Sequence, residues 1–413
     1  MVLRYDRNQV TFLSLLGSTG SIGTSTLDVV RRWPGRFGVH ALVAGRNMQL
    51  LATQIAEFKP KLAVAADSAA LAELRRILKD RGIPAPELAH GAQGRMAAAS
   101  ASEASFVMSA IVGVDGLEAT YEAVKLGKRV GLANKEVLVA GGRLVMEARQ
   151  ASGAELIPVD SEHNGAHQCL RGGLRKEVSK LILTASGGPF RLTPAQELQY
   201  VTPAQALKHP TWQMGQRITV DSATLMNKGF EVIEACWLFD FPPKDVEVVV
   251  HPQSKVHAMV EYVDGSVIAQ ISATDMRMPI QYALTYPERT EAPVPRLNWS
   301  ESAAWTFDPP DFKKFPVLKL AYQAQETGGS ATAVLNAADE IAVGAFLGER
   351  IPFLGIAETV AETLAKMSRK DPATVGEVLE VDRDARRVAA GVIRARWGER
   401  ATAGITTESA VRA

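Results

Sequence analysis

The chain has little cysteine, no long apolar run and almost no net charge, and each shortage removes a class of protein. Its 413 residues include only Cys169 and Cys236, too few and too isolated for a disulfide framework or a cysteine-based zinc site, which fits a reducing cytoplasm. No stretch approaches the roughly 20 apolar residues a membrane helix needs. Residues 1–10 are polar, with Arg4, Asp6 and Arg7, and the apolar run behind them is too short for a signal peptide, so they read as a leader into a first strand. With Lys+Arg at 46, Asp+Glu at 45 and a formal charge of +1, there is no global electrostatic case for nucleic acid or an anionic membrane surface. What is plentiful is apolar residues, 46% of the chain against 22% charged, enough to bury several cores in two or three domains.

The first part alternates strand and helix. Residues 11–16 read as a strand, Gly17-Ser18-Thr19-Gly20-Ser21-Ile22-Gly23 as a loop and residues 24–32 as a helix that Trp33-Pro34-Gly35 stops. A glycine loop between strand and helix leaves backbone N–H groups at a helix N-terminus, where a pyrophosphate binds well. The spacing is G-x-x-G-x-x-G, not the commoner G-x-G-x-x-G. After the next strand, residues 38–44, the chain reads Gly45-Arg46-Asn47 where an NAD fold places an acid; Arg46 can pair with a 2′-phosphate, which favours NADP. The pattern continues through strands at 61–65, 105–110 and 129–133 and helices at 68–79, 117–126 and 137–151. Residues 1–159 are therefore expected to form a Rossmann-like, doubly wound parallel sheet of the α/β class, with ligands at the carboxyl ends of its strands. Asn134-Lys135-Glu136 stands at one such end, as a helix cap or as a ligand contact.

The strand at 155–159 runs into Asp160-Ser161-Glu162-His163-Asn164. If its pleat persists, Asp160 and Glu162 point to one side, and two like charges held that close favour a hard divalent cation between them; the alternative is an exposed strand end. Residues 160–295 read as an α+β catalytic and connective domain. It has a strand at 180–185 and a proline-punctuated lid loop at 186–216 carrying Ser186, His209, Trp212 and Gly215. In the run from Asp221 to Glu231, Ser222, Asn227 and Lys228 supply neutral donors and a cation suited to a phosphate monoester. Glu231 lies one turn past Lys228 if that segment is helical. Residues 246–251, 255–262 and 265–271 look like antiparallel strands of a second sheet. A linker at 296–320 leads to a helical bundle at 321–413, with helices at 331–347, 355–367 and 382–397, structural support as its expected role and a tail that frays from Glu399.

Taken together, the glycine loop 17–23, Leu132-Ala133-Asn134-Lys135-Glu136, the run 158–164, Ala185-Ser186-Gly187-Gly188-Pro189-Phe190, His209-Pro210-Thr211-Trp212, the run 221–231 and His251-Pro252-Gln253-Ser254 closely resemble the 1-deoxy-D-xylulose 5-phosphate reductoisomerase family. The blocks occur in the family's order, from about Thr11 to about Trp397. The resemblance implies a cytoplasmic homodimer, with the second sheet as its dimerisation sheet, dependent on NADPH and on Mg²⁺ or Mn²⁺. Such an enzyme rearranges 1-deoxy-D-xylulose 5-phosphate by retro-aldol cleavage and re-addition, and reduces the product to 2-C-methyl-D-erythritol 4-phosphate for the non-mevalonate isoprenoid pathway. It also implies roles. Asp160, Glu162 and Glu231 would ligate the metal; Lys135, Ser161 and Glu162 would meet the substrate's hydroxyl and carbonyl end; Ser186, Ser222, Asn227 and Lys228 would hold its phosphate. His209 and Trp212 would come from the lid. Thr19, Gly20, Ser21 and Ile22 would contact the pyrophosphate, Gly45, Arg46 and Asn47 the 2′-phosphate, and Asn134, Glu136 and Gly215 further parts of NADPH. Lys135, Asp160, Glu162, Glu231 and His209 would carry the chemistry.

The chain departs from the family pattern at Gly165-Ala166-His167-Gln168, where bulky apolar residues are usual, and in its longer leader. His163, His251 and His257 fall in matching blocks but read as structural. Two rivals remain at this point. A semialdehyde or homoserine-type NADP dehydrogenase shares the two-domain plan, the semialdehyde enzymes requiring a nucleophilic cysteine, and a non-catalytic NADP-sensing module would need neither the acids, the phosphate anchor nor the lid.

Overall fold

A computed structural model describes residues 10–212, 214–300 and 303–402; the leader before Val10 and the tail beyond Thr402 lie outside the described residues. The first sheet is built from β1 (Thr11–Leu16), α1 (Ser21–Arg32), β2 (Phe37–Val43), α2 (Met48–Phe58), β3 (Leu62–Ala65), α3 (Ser68–Asp80), β4 (Glu87–His90), α4 (Gly91–Ser100), β5 (Phe106–Ser109), α5 (Leu117–Lys125), β6 (Arg129–Leu132), α6 (Glu136–Ser152) and β7 (Glu155–Pro158). Its seven strands run in the order β4-β3-β2-β1-β5-β6-β7, and every pair is parallel. Helices on both faces bury the central strands, where Leu13, Leu15 and Leu16 are all fully buried, while the edge strand β4 keeps Glu87 and His90 exposed. The direction of winding reverses between β1 and β5, and a crevice opens there at the strands' carboxyl ends. The expected Rossmann-like sheet is present, and α2, β4 and α4 extend it.

The acid pair comes together in a way the alternation did not foresee. β7 stops at Pro158, and Asp160 is the N-cap of α7 (Ser161–Cys169), its Oδ1 accepting the N–H groups of Glu162 at 3.1 Å and His163 at 3.4 Å. An aspartate one step before a helix satisfies otherwise orphaned donors and sits favourably on the helix dipole. A helical turn, rather than a pleat, therefore follows Asp160, and Glu162 reaches the acid cluster through Lys228, 3.7 Å from its Oε2.

Behind α7 come β8 (Val178–Ala185), α8 (Pro203–Ala206), α9 (Gln216–Thr224), α10 (Met226–Phe239), β9 (Val246–Val250), β10 (Val256–Tyr262), β11 (Val267–Ile271) and α11 (Arg277–Thr285). The second sheet has the order β11-β10-β8-β9. β10 is antiparallel to β8 and β11, but β9 is parallel to β8. The antiparallel expectation fails there because α9 and α10 form the long crossover a parallel pair requires. Gly165 lets α7 lie close on β10, since a Cβ there would stand 3.3 Å from the Ala258 nitrogen. α11 returns to the first sheet: Ile280 and Leu284 join its core, and Trp33 Nε1 donates to Gln281 Oε1 at 3.2 Å.

The chain ends in α12 (Pro316–Thr327), α13 (Ala331–Leu347), α14 (Phe353–Lys366) and α15 (Val375–Trp397). α12 begins inside the segment read as a linker, with proline at its first position, where a missing N–H costs nothing. Ala333, Val334 and Ala337 of α13 share a core with Leu144 and Val145 of α6, so the bundle is packed against the first domain. Glu399–Thr402 form a single 3-10 turn. Among the described residues, no helix is long and apolar enough to cross a membrane.

Candidate active site

The carboxyl ends of β1, β5, β6 and β7 open onto a cavity of about 1240 Å³ whose lining includes Gly20, Gly113, Asn134, Lys135, Asp160, Glu162, Ser186, His209, Trp212, Ser222, Lys228 and Glu340. One end is a bare helix start. Gly20 caps α1 without a side-chain hydrogen bond, so the N–H groups of the first turn face outward, and Gly20, Ser21 and Ile22 line the cavity. The glycines are obligatory at two points: Gly17 has φ +97°, and a Cβ on Gly23 would stand 2.2 Å from the Gly17 carbonyl oxygen. Thr19 belongs to the same loop.

Gly45, Arg46 and Asn47 follow β2, the neighbour of β1. Asn47 caps α2 by accepting the Leu50 N–H at 3.1 Å, while the exposed Arg46 has an Asp67 oxygen 3.7 Å away. Asn134 Nδ2 donates to the Gly113 carbonyl at 3.0 Å, and Glu136 Oε1 accepts the Gly113 N–H at 3.1 Å. Gly215 is the N-cap of α9.

The other end is an acid cluster held by cations. Lys135 Nζ lies 2.5 Å from Asp160 Oδ2 and 4.0 Å from Glu231 Oε1. Lys228 contacts Glu231 Oε2 and stands 3.7 Å from Glu162 Oε2. Asn227 Nδ2 donates to Glu231 Oε1 at 2.6 Å, and Ser161 Oγ to Glu162 Oε1 at 3.0 Å. α10 sets Asn227, Lys228 and Glu231 on one face by its i, i+3 and i, i+4 spacing. Burial opposes every charge here. Asp160 nonetheless stays well below the ordinary carboxylate range because Lys135, His163 and Lys228 surround it. Glu231, fully buried beside Asp160, is pushed up to about 8. Burial also works against the Lys135 ammonium, but Asp160 and Glu231 hold it charged.

Oxygen and nitrogen atoms of Asp160, Glu231 and His163 lie within 4.8 Å of one another. His163 is engaged elsewhere: Nε2 faces the Glu231 carbonyl oxygen at 2.8 Å, and Nδ1 is 2.9 Å from Glu234 Oε2. Against burial, Glu234 lifts it to about 9. His251 is a structural residue, its Nδ1 3.0 Å from the Thr306 carbonyl oxygen and its Nε2 accepting two backbone N–H groups. His257 is buried with Nδ1 3.6 Å from Glu162 Oε1.

The sequence matches the description "1-deoxy-D-xylulose 5-phosphate reductoisomerase" over residues 13–142 and the family's C-terminal domains over 156–239 and 271–388. A reductoisomerase of Solibacter usitatus is 67% identical over 380 residues, covering 91% of this chain and 96% of that protein. One of Chlorobaculum tepidum is 51% identical, covering 92% and 99%. The chain belongs to the 1-deoxy-D-xylulose 5-phosphate reductoisomerase family. Solved members agree in fold: the Zymomonas mobilis enzyme in complex with NADPH superposes with a TM-score of 0.87 at 44% identity, covering 93% and 99% of the two chains. A member in complex with NADPH, fosmidomycin and magnesium also gives 0.87, at 38% identity, covering 93% and 98%.

Against that family background, the segment between β8 and α9 holds its histidine in one tautomer. His209 Nδ1 accepts the Trp212 N–H at 2.9 Å and the Thr211 N–H at 3.2 Å, which leaves Nε2 to donate to Ser186 Oγ at 2.9 Å. Burial lowers its pKa, so the ring is neutral at pH 7. The thiol rival fails, because burial pushes Cys169 up to about 11 and Cys236 up to about 12. The sequence reading passed over Arg217, Glu340 and Arg386, which also line the cavity. The one local signal was a cation in the first turn of a helix, Arg217 in α9, where the dipole disfavours it.

Proposed function

We propose that this chain converts 1-deoxy-D-xylulose 5-phosphate to 2-C-methyl-D-erythritol 4-phosphate, with NADPH at the glycine-loop end of the cavity and Mg²⁺ or Mn²⁺ at the acid end. The observation that carries the reading is the convergence, in one cavity, of a bare helix N-terminus with a buried acid cluster that two lysines neutralise. Both ends fit their groups. Oxygen donors in a crowded set, one of them pushed up to about 8 by burial and the neighbouring Asp160 carboxylate, suit a hard divalent cation, and Asp160, Glu162 and Glu231 would hold it. The glycine cradle of α1 would take the pyrophosphate through Thr19, Gly20, Ser21 and Ile22, with Arg46 at the 2′-phosphate. When bound, the cation would bring adjacent hydroxyl and carbonyl oxygens together and lower the hydroxyl's pKa, and NADPH would supply the hydride.

The protein's own groups do the rest. Ser186, Ser222, Asn227 and Lys228 hold the phosphate and thereby fix both halves of the rearranging skeleton. Lys135 offers charge and hydrogen bonds to the hydroxyl end, and Ser161 at the start of α7 contributes a donor beside it. Neutral His209 and Trp212 close over the substrate and exclude water. Asn134 and Gly215 border the nicotinamide side. We further assign the chain to the cytoplasm and to a homodimer. β11 supports the latter: it is an edge strand with Val267 49% and Ile268 38% exposed, a template for pairing with a second copy. Incubation with the sugar phosphate, NADPH and Mg²⁺, followed by NMR of the product, tests the reaction. A branched methyl-erythritol skeleton is expected, and an unrearranged one would contradict it.

A further inference from the structure

Arg217 connects parts of the molecule that are far apart in sequence. Its Nη1 donates to Glu136 Oε1 at 3.1 Å and to Glu340 Oε2 at 2.9 Å, and its Nη2 to Asn336 Oδ1 at 2.8 Å. Asp221 and Asp339 each place an oxygen 3.8 Å from the same guanidinium. Glu340 is gripped from the other side by both Nη atoms of Arg386, at 3.0 and 2.9 Å, and Arg386 Nε is fixed by Asp382 at 2.6 Å. The chain of contacts thus runs from α15 through α13 to the start of α9, and on to Glu136 at the start of α6.

Its far end is a backbone turn. Glu136 Oε1 takes the Gly113 N–H while Asn134 takes the Gly113 carbonyl. Gly113 has φ +78°, and a Cβ there would stand 3.6 Å from Glu340 Oε2 and 3.9 Å from Arg217 Nη1. The network therefore lies directly beneath the turn that follows β5, and Ile111, Val112 and Gly113 of that turn line the cavity. Gly215, two residues before Arg217, caps the same helix. Of the groups fixed this way, Gly113 and Glu136 follow β5 and β6, at the cofactor side of the cavity, while Asp221 stands next in the chain to Ser222 of α9.

We propose that Arg217 and Glu340 are positioning residues for the cofactor: through them the C-terminal helices set the Gly113 turn, Glu136 and the start of α9 against NADPH. This rests on reading that end of the cavity as the NADPH site. A guanidinium spans acceptors on separate helices because its donors form a rigid, spread fork; the three donors of an ammonium radiate from one nitrogen and cannot cover the same span.

The test uses the full-length protein and two variants, Arg217→Lys and Glu340→Gln, with NADPH affinity from fluorescence titration, separate KM values for NADPH and the sugar phosphate, and thermal melting. Loss of one charge-assisted contact in each is expected to weaken NADPH binding by roughly tenfold, with the KM for the sugar phosphate moving less than about twofold. If Arg217→Lys does not fold, Glu340→Gln decides. Unchanged NADPH affinity in a folded variant overturns the inference, whatever happens to the melting temperature, and so does an equal rise in both KM values. Failure of the wild type itself to bind NADPH would instead remove the proposed function.

Discussion

Two buried clusters of acids face the same cavity, and they are neutralised differently. Around Asp160, Glu162 and Glu231 the cations are Lys135 and Lys228; around Glu136, Asp339, Glu340 and Asp382 they are Arg217 and Arg386. A lysine is a compact charge on a flexible stem, able to move aside when a ligand arrives, whereas an arginine fork fixes the geometry of whatever it holds. The first cluster is built to exchange its partners and the second to keep them. The phosphate donors expected on α10 illustrate the point, since Asn227 and Lys228 presently turn to Glu231. They occupy places that a cation and a phosphate would take over.

The sharpest way to break the comparison is Asp160→Asn. Asparagine still caps α7, so the fold is kept, but the exchangeable cluster loses a charge. Metal-dependent turnover is expected to fall by at least about a hundredfold, since even residues that merely support a metal ligand cost ~10–100-fold, while NADPH binding persists. Steady-state kinetics and a binding titration read the two, and retained turnover would remove Asp160 from the metal site. A smaller effect comes from an arginine in neither cluster. Arg46 is exposed, with an Asp67 oxygen 3.7 Å away, a solvent-screened partner that a 2′-phosphate would displace. Arg46→Ala should raise the KM for NADPH about tenfold and leave that for NADH unchanged; equal changes would deny it the role.

The smallest effect probes the second cluster. Burial lifts Asp339 to about 6 and raises its coupled neighbour Asp221 as well, so the folded state holds the pair's protons more tightly than the unfolded chain does. That contribution is complete below about pH 4 and is lost as the pH rises through about 6. Asp339→Asn has no proton to lose. Its stability relative to wild type should therefore rise across this window by on the order of 1 kcal/mol, as urea denaturation at the two ends would measure. A constant or falling difference would mean that Asp339 does not titrate there.

Legibility followed locality. The glycine loop, the turn after β6 and the face of α10 are short stretches whose chemistry and spacing lie next to one another in the chain, and the structure sets all three around one cavity. Asp160 was read as the end of a pleat because the strand and the helix cap meet within two residues, and the cap only shows itself in the hydrogen bonds of Glu162 and His163. β4 and α4 escaped notice because Gly91-Ala92-Gln93-Gly94 has little apolar periodicity, and the direction of β9 depended on a crossover of two helices. The Arg217 network is barely legible in the sequence. Asp221 is an i, i+4 neighbour on the same helix, but the partners at 136, 336, 339 and 340 come from α6 and α13, and no local pattern announces a contact made only by tertiary packing.

The central claim is that the lysine-bridged acids receive a divalent cation on which turnover depends. NADPH oxidation driven by 1-deoxy-D-xylulose 5-phosphate, followed in the wild type with and without a chelator, tests it most directly. Turnover that the chelator abolishes and added Mg²⁺ or Mn²⁺ restores is the predicted result. Turnover indifferent to the chelator, or none with the metal present, would contradict it.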